Sequence, residues 1–85
     1  MNYRLTEHAR SEMIRREIPS ELLRRLMEEP EQVVPTFGGR NVYQSKMQFG
    51  EDKTYLLRAI VDDQTQPPTV VTVYRTSSIR KYWRV

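Results

Sequence analysis

The side chains of this chain best equipped for chemistry are its single histidine, His8, an arginine inside an otherwise apolar strand pattern, Arg58, and the hydroxyls of Tyr74 and Thr76. His8 falls in the first turn of a helical pattern opened by Thr6. A helix N-terminus disfavours an added positive charge, and an imidazole in its neutral form can accept a proton. Arg58 carries a planar fork of donors that can hold two phosphate oxygens at once. Tyr74 can give a proton, and both hydroxyls can donate to a phosphate. Each residue also has a plainer role open to it. His8 can pair with Glu12 one turn on. Arg58 can snorkel to solvent or meet a carboxylate, and Tyr and Thr are simply good strand formers.

The chain lacks a phosphate-cradling glycine loop, a nucleophile elbow and any cysteine, which excludes nucleoside-triphosphate use and covalent serine or cysteine chemistry. One histidine and the loop pair Asp62-Asp63 do not make a transition-metal site, so no metal or other cofactor is expected. The reaction this equipment does suit is cleavage of RNA by its own 2′-hydroxyl. That needs a base for the 2′ proton, a cation over the phosphate as charge builds, and an acid for the departing 5′ oxygen.

Charge points the same way. Residues 1–31 carry six arginines against seven acids, whereas residues 32–85 carry eight bases against four acids. The last 22 residues, Gln64 to Val85, hold Arg75, Arg80, Lys81 and Arg84 interleaved with Tyr74, Tyr82 and Trp83 and contain no acid. A basic segment with interleaved aromatics fits a polyanionic backbone, which places Arg75, Arg80 and Lys81 among the candidate RNA-binding residues.

The elements that must position these groups follow from pattern. Eighty-five residues suffice for one domain with a thin core. Residues 6–16 are expected as a first helix with Ala9, Met13 and Ile14 on its apolar stripe, interrupted at Ile18-Pro19-Ser20. Leu22, Leu23, Leu26 and Met27 form the buried face of a second helix that Pro30 ends. Strands are expected at 32–36, 40–49, 54–61 and 69–75, joined by turns at Phe37-Gly38-Gly39 and Gly50-Glu51-Asp52-Lys53 and by the polar loop 62–68. A short helix over 79–83 follows. The expected fold is therefore α+β, with two N-terminal helices on one face of a four-stranded, mainly antiparallel sheet whose other face is open. Alternation puts Tyr55, Leu57, Ala59 and Val61 opposite Thr54, Leu56, Arg58 and Ile60. It likewise puts Val70, Thr72, Tyr74 and Thr76 opposite Val71, Val73 and Arg75.

The beginning of the chain has no apolar run of signal-peptide length, and no stretch approaches the ~20 apolar residues that cross a bilayer. A cytoplasmic protein with no membrane partner is expected.

Leu5-Thr6-Glu7-His8-Ala9, Met13-Ile14-Arg15-Arg16-Glu17-Ile18, Glu29-Pro30-Glu31, Val71-Thr72-Val73-Tyr74-Arg75-Thr76-Ser77 and Ile79-Arg80-Lys81-Tyr82-Trp83 together resemble a family of small bacterial proteins known as a domain of unknown function. That family looks related to the RelE, ParE and BrnT toxins, within the metal-independent ribonuclease folds that include barnase and colicin nucleases. The resemblance implies a RelE-like layout with His8 as general base or acid, Arg58 as phosphate stabiliser and Tyr74 or Thr76 as hydroxyl partner. It further implies that Lys46 and Arg75 hold flanking RNA. The expected function is a metal-independent endoribonuclease acting as the toxin of a toxin-antitoxin pair. Its partners would be RNA, with ribosome-bound mRNA included, and a cognate antitoxin protein. The alternatives are a non-catalytic RNA- or protein-binding module, or a toxin that inhibits a protein such as gyrase.

Overall fold

Thr6 fixes the start of the first helix, α1 (Glu7–Arg15), and ties it to the far end of the chain. In the computed structural model, which describes residues 2–85, its hydroxyl accepts from the Ala9 N–H at 3.0 Å and donates to the Val71 carbonyl at 2.8 Å. The helix stops before Pro19 comes into play. Glu17 adopts a left-handed backbone, φ 51°, while its N–H reaches the Ile14 carbonyl at 3.2 Å and the Ile18 N–H reaches the Met13 carbonyl at 2.9 Å. That paired closure is a Schellman motif, and the buried side chains of Met13 and Ile18 are the apolar pair that usually accompanies it.

The second helix, α2 (Ser20–Glu28), buries Leu23, Leu26 and Met27. On its solvent side Arg24 bridges Glu21 and Glu28, one turn away in each direction.

Among the described residues the sheet has five strands, β1 (Arg4–Leu5), β2 (Gln32–Pro35), β3 (Asn41–Phe49), β4 (Lys53–Asp62) and β5 (Thr69–Thr76), in the order β1-β5-β4-β3-β2. The expected four strands are all present, within a residue or so of their expected limits. The additional β1 runs parallel to β5, pairing Arg4 with Thr69 and Leu5 with Val70, so the sheet is mixed. The remaining pairings are antiparallel. A short third helix, α3 (Ile79–Tyr82), follows β5.

The core lies between the helices and one face of the sheet. Ala9, Met13, Leu23, Leu26 and Met27 meet Met47, Leu57, Ala59, Val61, Val70 and Val73, with Tyr55 packed at the margin. The expected alternation in β4 holds, but β5 departs from it. A register shift opposite Ile60/Val61 pairs Thr72 with Ile60 and Val70 with Val61, leaving Val71 bulged out of the ladder. Val70 therefore lies on the helix side, fully buried, while Thr72, Tyr74 and Thr76 lie on the other.

That second face is covered along β2 and β3, against the expectation of an open surface. Gln44 is 0 % exposed, and Val42 and Leu56 are buried beside it. The chain after β5 folds back so that the Tyr82 carbonyl accepts from Gln44 Nε2 at 3.1 Å, Trp83 lies against Lys46, and the Arg84 backbone pairs with the Gln32 amide. No described helix is long and apolar enough to cross a membrane.

Candidate functional site

Arg58 stands at the centre of the second face, opposite Gln44 on β3 and Tyr74 on β5. Its Nε donates to Gln44 Oε1 at 2.8 Å and its Nη1 to the Tyr74 hydroxyl. Its Cζ lies over the Tyr82 ring, 4.1 Å from the ring centre, and 5.7 Å from the centre of the Tyr74 ring. Among the described residues Arg58 meets no carboxylate, and its half-buried side chain is held by neutral groups. Nη2 makes no hydrogen bond among them either. A cation held in place without a counter-ion, with an in-plane donor to spare, is electrostatically set to receive an anion at its edge.

Gln44 makes this arrangement possible. It is a buried amide that accepts from Arg58 and donates from Nε2 to Gln32 Oε1 at 2.7 Å and to the Tyr82 carbonyl at 3.1 Å, so both ends are satisfied. The Tyr74 hydroxyl accepts from Arg58, and its own proton is unengaged among the described residues.

His8 arrives from the opposite layer. α1 packs along β5, and the exposed imidazole reaches the edge of the strand with Nε2 at 3.0 Å from Thr72 Oγ1. Glu12, its possible helix partner, is taken instead by Arg15 and Arg16 at 2.7 and 2.9 Å. Those two guanidiniums hold the Glu12 carboxyl down to about 2, Arg15 first and Arg16 second. Thr72 precedes Tyr74 by two residues on one face, a step of about 7 Å at ~3.4 Å per residue. The order along this edge is thus His8 and Thr72, then Tyr74 with Arg58 beside it.

The other expected site residues are spread more widely. Thr76 lies one further step along the same face of β5, its Oγ1 accepting from the Ser78 N–H at 3.0 Å. Lys46 is exposed on the second face with Nζ at 4.1 Å from the Trp83 ring. Arg80 and Lys81 are exposed on α3, Lys81 Nζ lying 5.3 Å from the Tyr82 ring. Arg75 points to the helix side, where its guanidinium sits 4.5 and 4.9 Å from the Phe49 and Tyr55 rings, so it does not share a surface with Arg58.

Two contributors escaped sequence reasoning, Gln44 and Arg16, whose Cζ lies 6.0 Å from the Tyr74 ring, while Thr72 and Tyr82 were grouped by strand side and by aromatic type without a named partner. Gln44 left one usable trace, a polar residue directly between strand neighbours on a face that also carries Arg58. Among the described residues no three His, Cys, Asp or Glu side chains converge to hold a metal ion.

Fold and site together define a small α+β domain in which Arg58 of β4 meets Tyr74 of β5 and His8 of α1 meets Thr72 of the same strand. The chain belongs to the family described as Domain of unknown function (DUF4258), whose model matches residues 5–75. That span includes His8, Arg58 and Tyr74 and ends at Arg75, before Thr76 and α3. No curated protein and no solved structure matches the chain significantly.

Proposed function

We propose that this protein is a metal-independent endoribonuclease acting as the toxin of a toxin-antitoxin pair, with kinship to the RelE and BrnT toxins. The observation that carries the reading is the row of His8, Tyr74 and Arg58 along β5: a proton acceptor, a hydroxyl with a free proton, and an unpaired cation between elements far apart in sequence.

In this reading the scissile phosphate lies at Nη2 of Arg58, the one guanidinium nitrogen without a hydrogen-bond partner among the described residues. His8 Nε2 exchanges Thr72 for the substrate's 2′-hydroxyl and takes its proton as that oxygen attacks phosphorus. Arg58 offsets the charge that builds on the non-bridging oxygens. The P–O5′ bond breaks, and Tyr74 gives its proton to the leaving oxygen. The products are a 2′,3′-cyclic phosphate and a 5′-hydroxyl, with the His8 proton returning to Tyr74 through solvent. Tyr74 is assigned ahead of Thr76 because it alone of the two touches Arg58.

The test is to induce wild type and His8→Ala in bacterial cells at equal protein level and map new RNA 5′ ends while following growth. New ends that vanish with the substitution are expected. Purified protein should keep cutting in EDTA, with Tyr74→Phe slower by roughly 10²–10⁴ as for loss of a general acid. Slowed growth with unchanged RNA would overturn the nuclease reading in favour of inhibition of a protein target. A second reading, a non-catalytic RNA-binding module, is favoured by the saturation of Arg58 Nε and Nη1 within the protein. It expects RNA to be bound and left whole, with His8→Ala silent.

A further inference from the structure

We propose that the cleft between the end of α1 and the end of β5 is a second phosphate-binding site, which takes a phosphate of single-stranded RNA neighbouring the one held at Arg58. It depends on the reading above only for the register of the strand, and binding there needs no cleavage.

The cleft has a volume of about 390 Å³ and is lined by Arg15, Arg16, Tyr55, Arg75, Thr76 and Ser77, with Glu17 at its rim. Its donors are largely unspent. Arg16 uses only Nε on Glu12, leaving both terminal amino groups without a partner among the described residues. The Arg75 guanidinium makes no hydrogen bond or ion pair among them, yet it is held beside the Phe49 and Tyr55 rings. Thr76 Oγ1 accepts from the Ser78 N–H, so its own proton is left to donate, and the Ser77 hydroxyl is exposed beside it. Arginine forks and hydroxyl-bearing residues bordering one space, with few acceptors among them, match a group that offers several anionic oxygens and no donors.

The opposing terms are Glu17 and the carbonyl end of α1, both negative. The carbonyl end is partly closed by the Glu17 and Ile18 N–H groups. Arg15 contributes less than Arg16, since two of its nitrogens are committed to Glu12.

Continuity with the row along β5 identifies the ligand as a strand and not an isolated ion. Arg16 borders both places, lining the cleft while its Cζ stands 6.0 Å from the Tyr74 ring. RNA passing across the free edge of β5 would meet Arg58 on one side of the sheet and Arg75 on the other with phosphates of one strand. This gives Arg75 an RNA contact despite its placement away from Arg58.

The experiment is fluorescence anisotropy of the full chain with a labelled 2′-O-methyl oligonucleotide, which has no free 2′-hydroxyl and cannot be cut by that group, over a series of salt concentrations. Arg16→Gln, Arg75→Gln and Ser77→Glu are each expected to weaken binding several-fold. Each arginine substitution should also reduce the slope of log K against log salt by about 0.7 for one lost phosphate contact. Ser77→Glu removes no packing contact of the arginines, so it tests the cleft even if Arg75→Gln unfolds. Glu17→Gln is expected to tighten binding, and Arg40→Gln, an equal one-unit charge change on the distant turn, to have a smaller effect than any of these. Cleft variants no worse than Arg40→Gln would overturn the proposal, even if wild type cuts RNA and His8→Ala does not. Saturation of the Ser77 and Arg75 amide signals by inorganic phosphate, without binding of the oligonucleotide, would overturn the RNA assignment. Cleft-dependent binding of RNA that wild type never cuts would uphold this site and end the nuclease reading alone.

Discussion

Gln44→Leu tests the claim that one buried amide holds the whole second face together. Leucine is close in size, so the change removes hydrogen bonds with little change in volume. In wild type the amide accepts from Arg58 Nε at 2.8 Å and donates to Gln32 Oε1 at 2.7 Å and the Tyr82 carbonyl at 3.1 Å, with Gln44 itself 0 % exposed. Gln32 Oε1 keeps a second donor, the Arg84 N–H at 3.1 Å, so its loss is small. The Arg58 Nε–H is a charged donor whose partner is worth about 1.5–3 kcal/mol, and the Tyr82 carbonyl adds roughly 1 kcal/mol. The extra apolar surface of leucine returns part of this, which leaves a net destabilisation of about 2–3 kcal/mol. Against a total stability of about 5–15 kcal/mol that is large. At roughly 4–8 °C per kcal/mol for a domain of this size, the melting temperature should fall by about 8–24 °C. Urea unfolding monitored by Trp83 fluorescence and by circular dichroism supplies the number. A change below ~0.5 kcal/mol would refute the reasoning, since Arg58 would then not depend on Gln44.

Two further outcomes follow from the end of α1. Glu12 protonates at about 2 in the folded protein against an ordinary value of 4.5, so its contribution to stability is complete above 4.5 and lost as pH falls toward 2. A carboxyl NMR titration should show Glu12 among the last acids to protonate, and Glu12→Gln should remove that part of the acid dependence of unfolding. Glu17 sits at φ 51°, a left-handed conformation that costs a non-glycine residue roughly 1–2 kcal/mol. Glu17→Gly relieves this while adding about 0.4–1 kcal/mol of unfolded-chain entropy, so denaturant unfolding should show a net gain of about 0.5–1 kcal/mol. No gain would mean that the Glu17 side chain contributes a compensating contact.

Much of the fold was legible because its signals are local. The leucines of α2, the β-branched run of β5 and the turns around Gly38 and Gly50 each declare their element without reference to the rest of the chain. Two features did not. Arg4-Leu5 is too short to show alternation, and only its hydrogen bonds across to β5, beginning with the Arg4 N–H on the Pro68 carbonyl at 2.8 Å, make it a strand. The bulge at Val71 has no residue signature, and it alone moved Val70 to the opposite face. The site divides in the same way. His8, Arg58 and Tyr74 stand out by type, and the structure brings His8 to Thr72 and Arg58 to Tyr74. The residues that hold them are ordinary polar ones. Nothing in Gln32, Gln44 or the Tyr82 backbone marks where the last turn of chain will lie, since that docking rests on amide hydrogen bonds with no apolar period to read. Arg75 shows the converse: alternation placed it correctly opposite Tyr74, yet its charge alone had grouped it with the residues on Tyr74's side.

The parallel pairing of β1 with β5 has a consequence for synthesis. Helix α1 leaves the ribosome well before the strand against which it packs, which lies about sixty residues downstream, and His8 is separated from Thr72 by 64 positions. At roughly 5–20 residues per second, the helix waits about 3–13 s for its partner. A helix of nine residues is not stable alone in water over that interval. Closing so long a segment also places this docking among the late, slow steps of folding. A chain that terminates before β5 therefore carries His8 on an unsupported segment and lacks Tyr74 altogether. In kinetic terms the contacts of His8 with Thr72 and of Arg58 with Tyr74 come into being only after β5 has been synthesised.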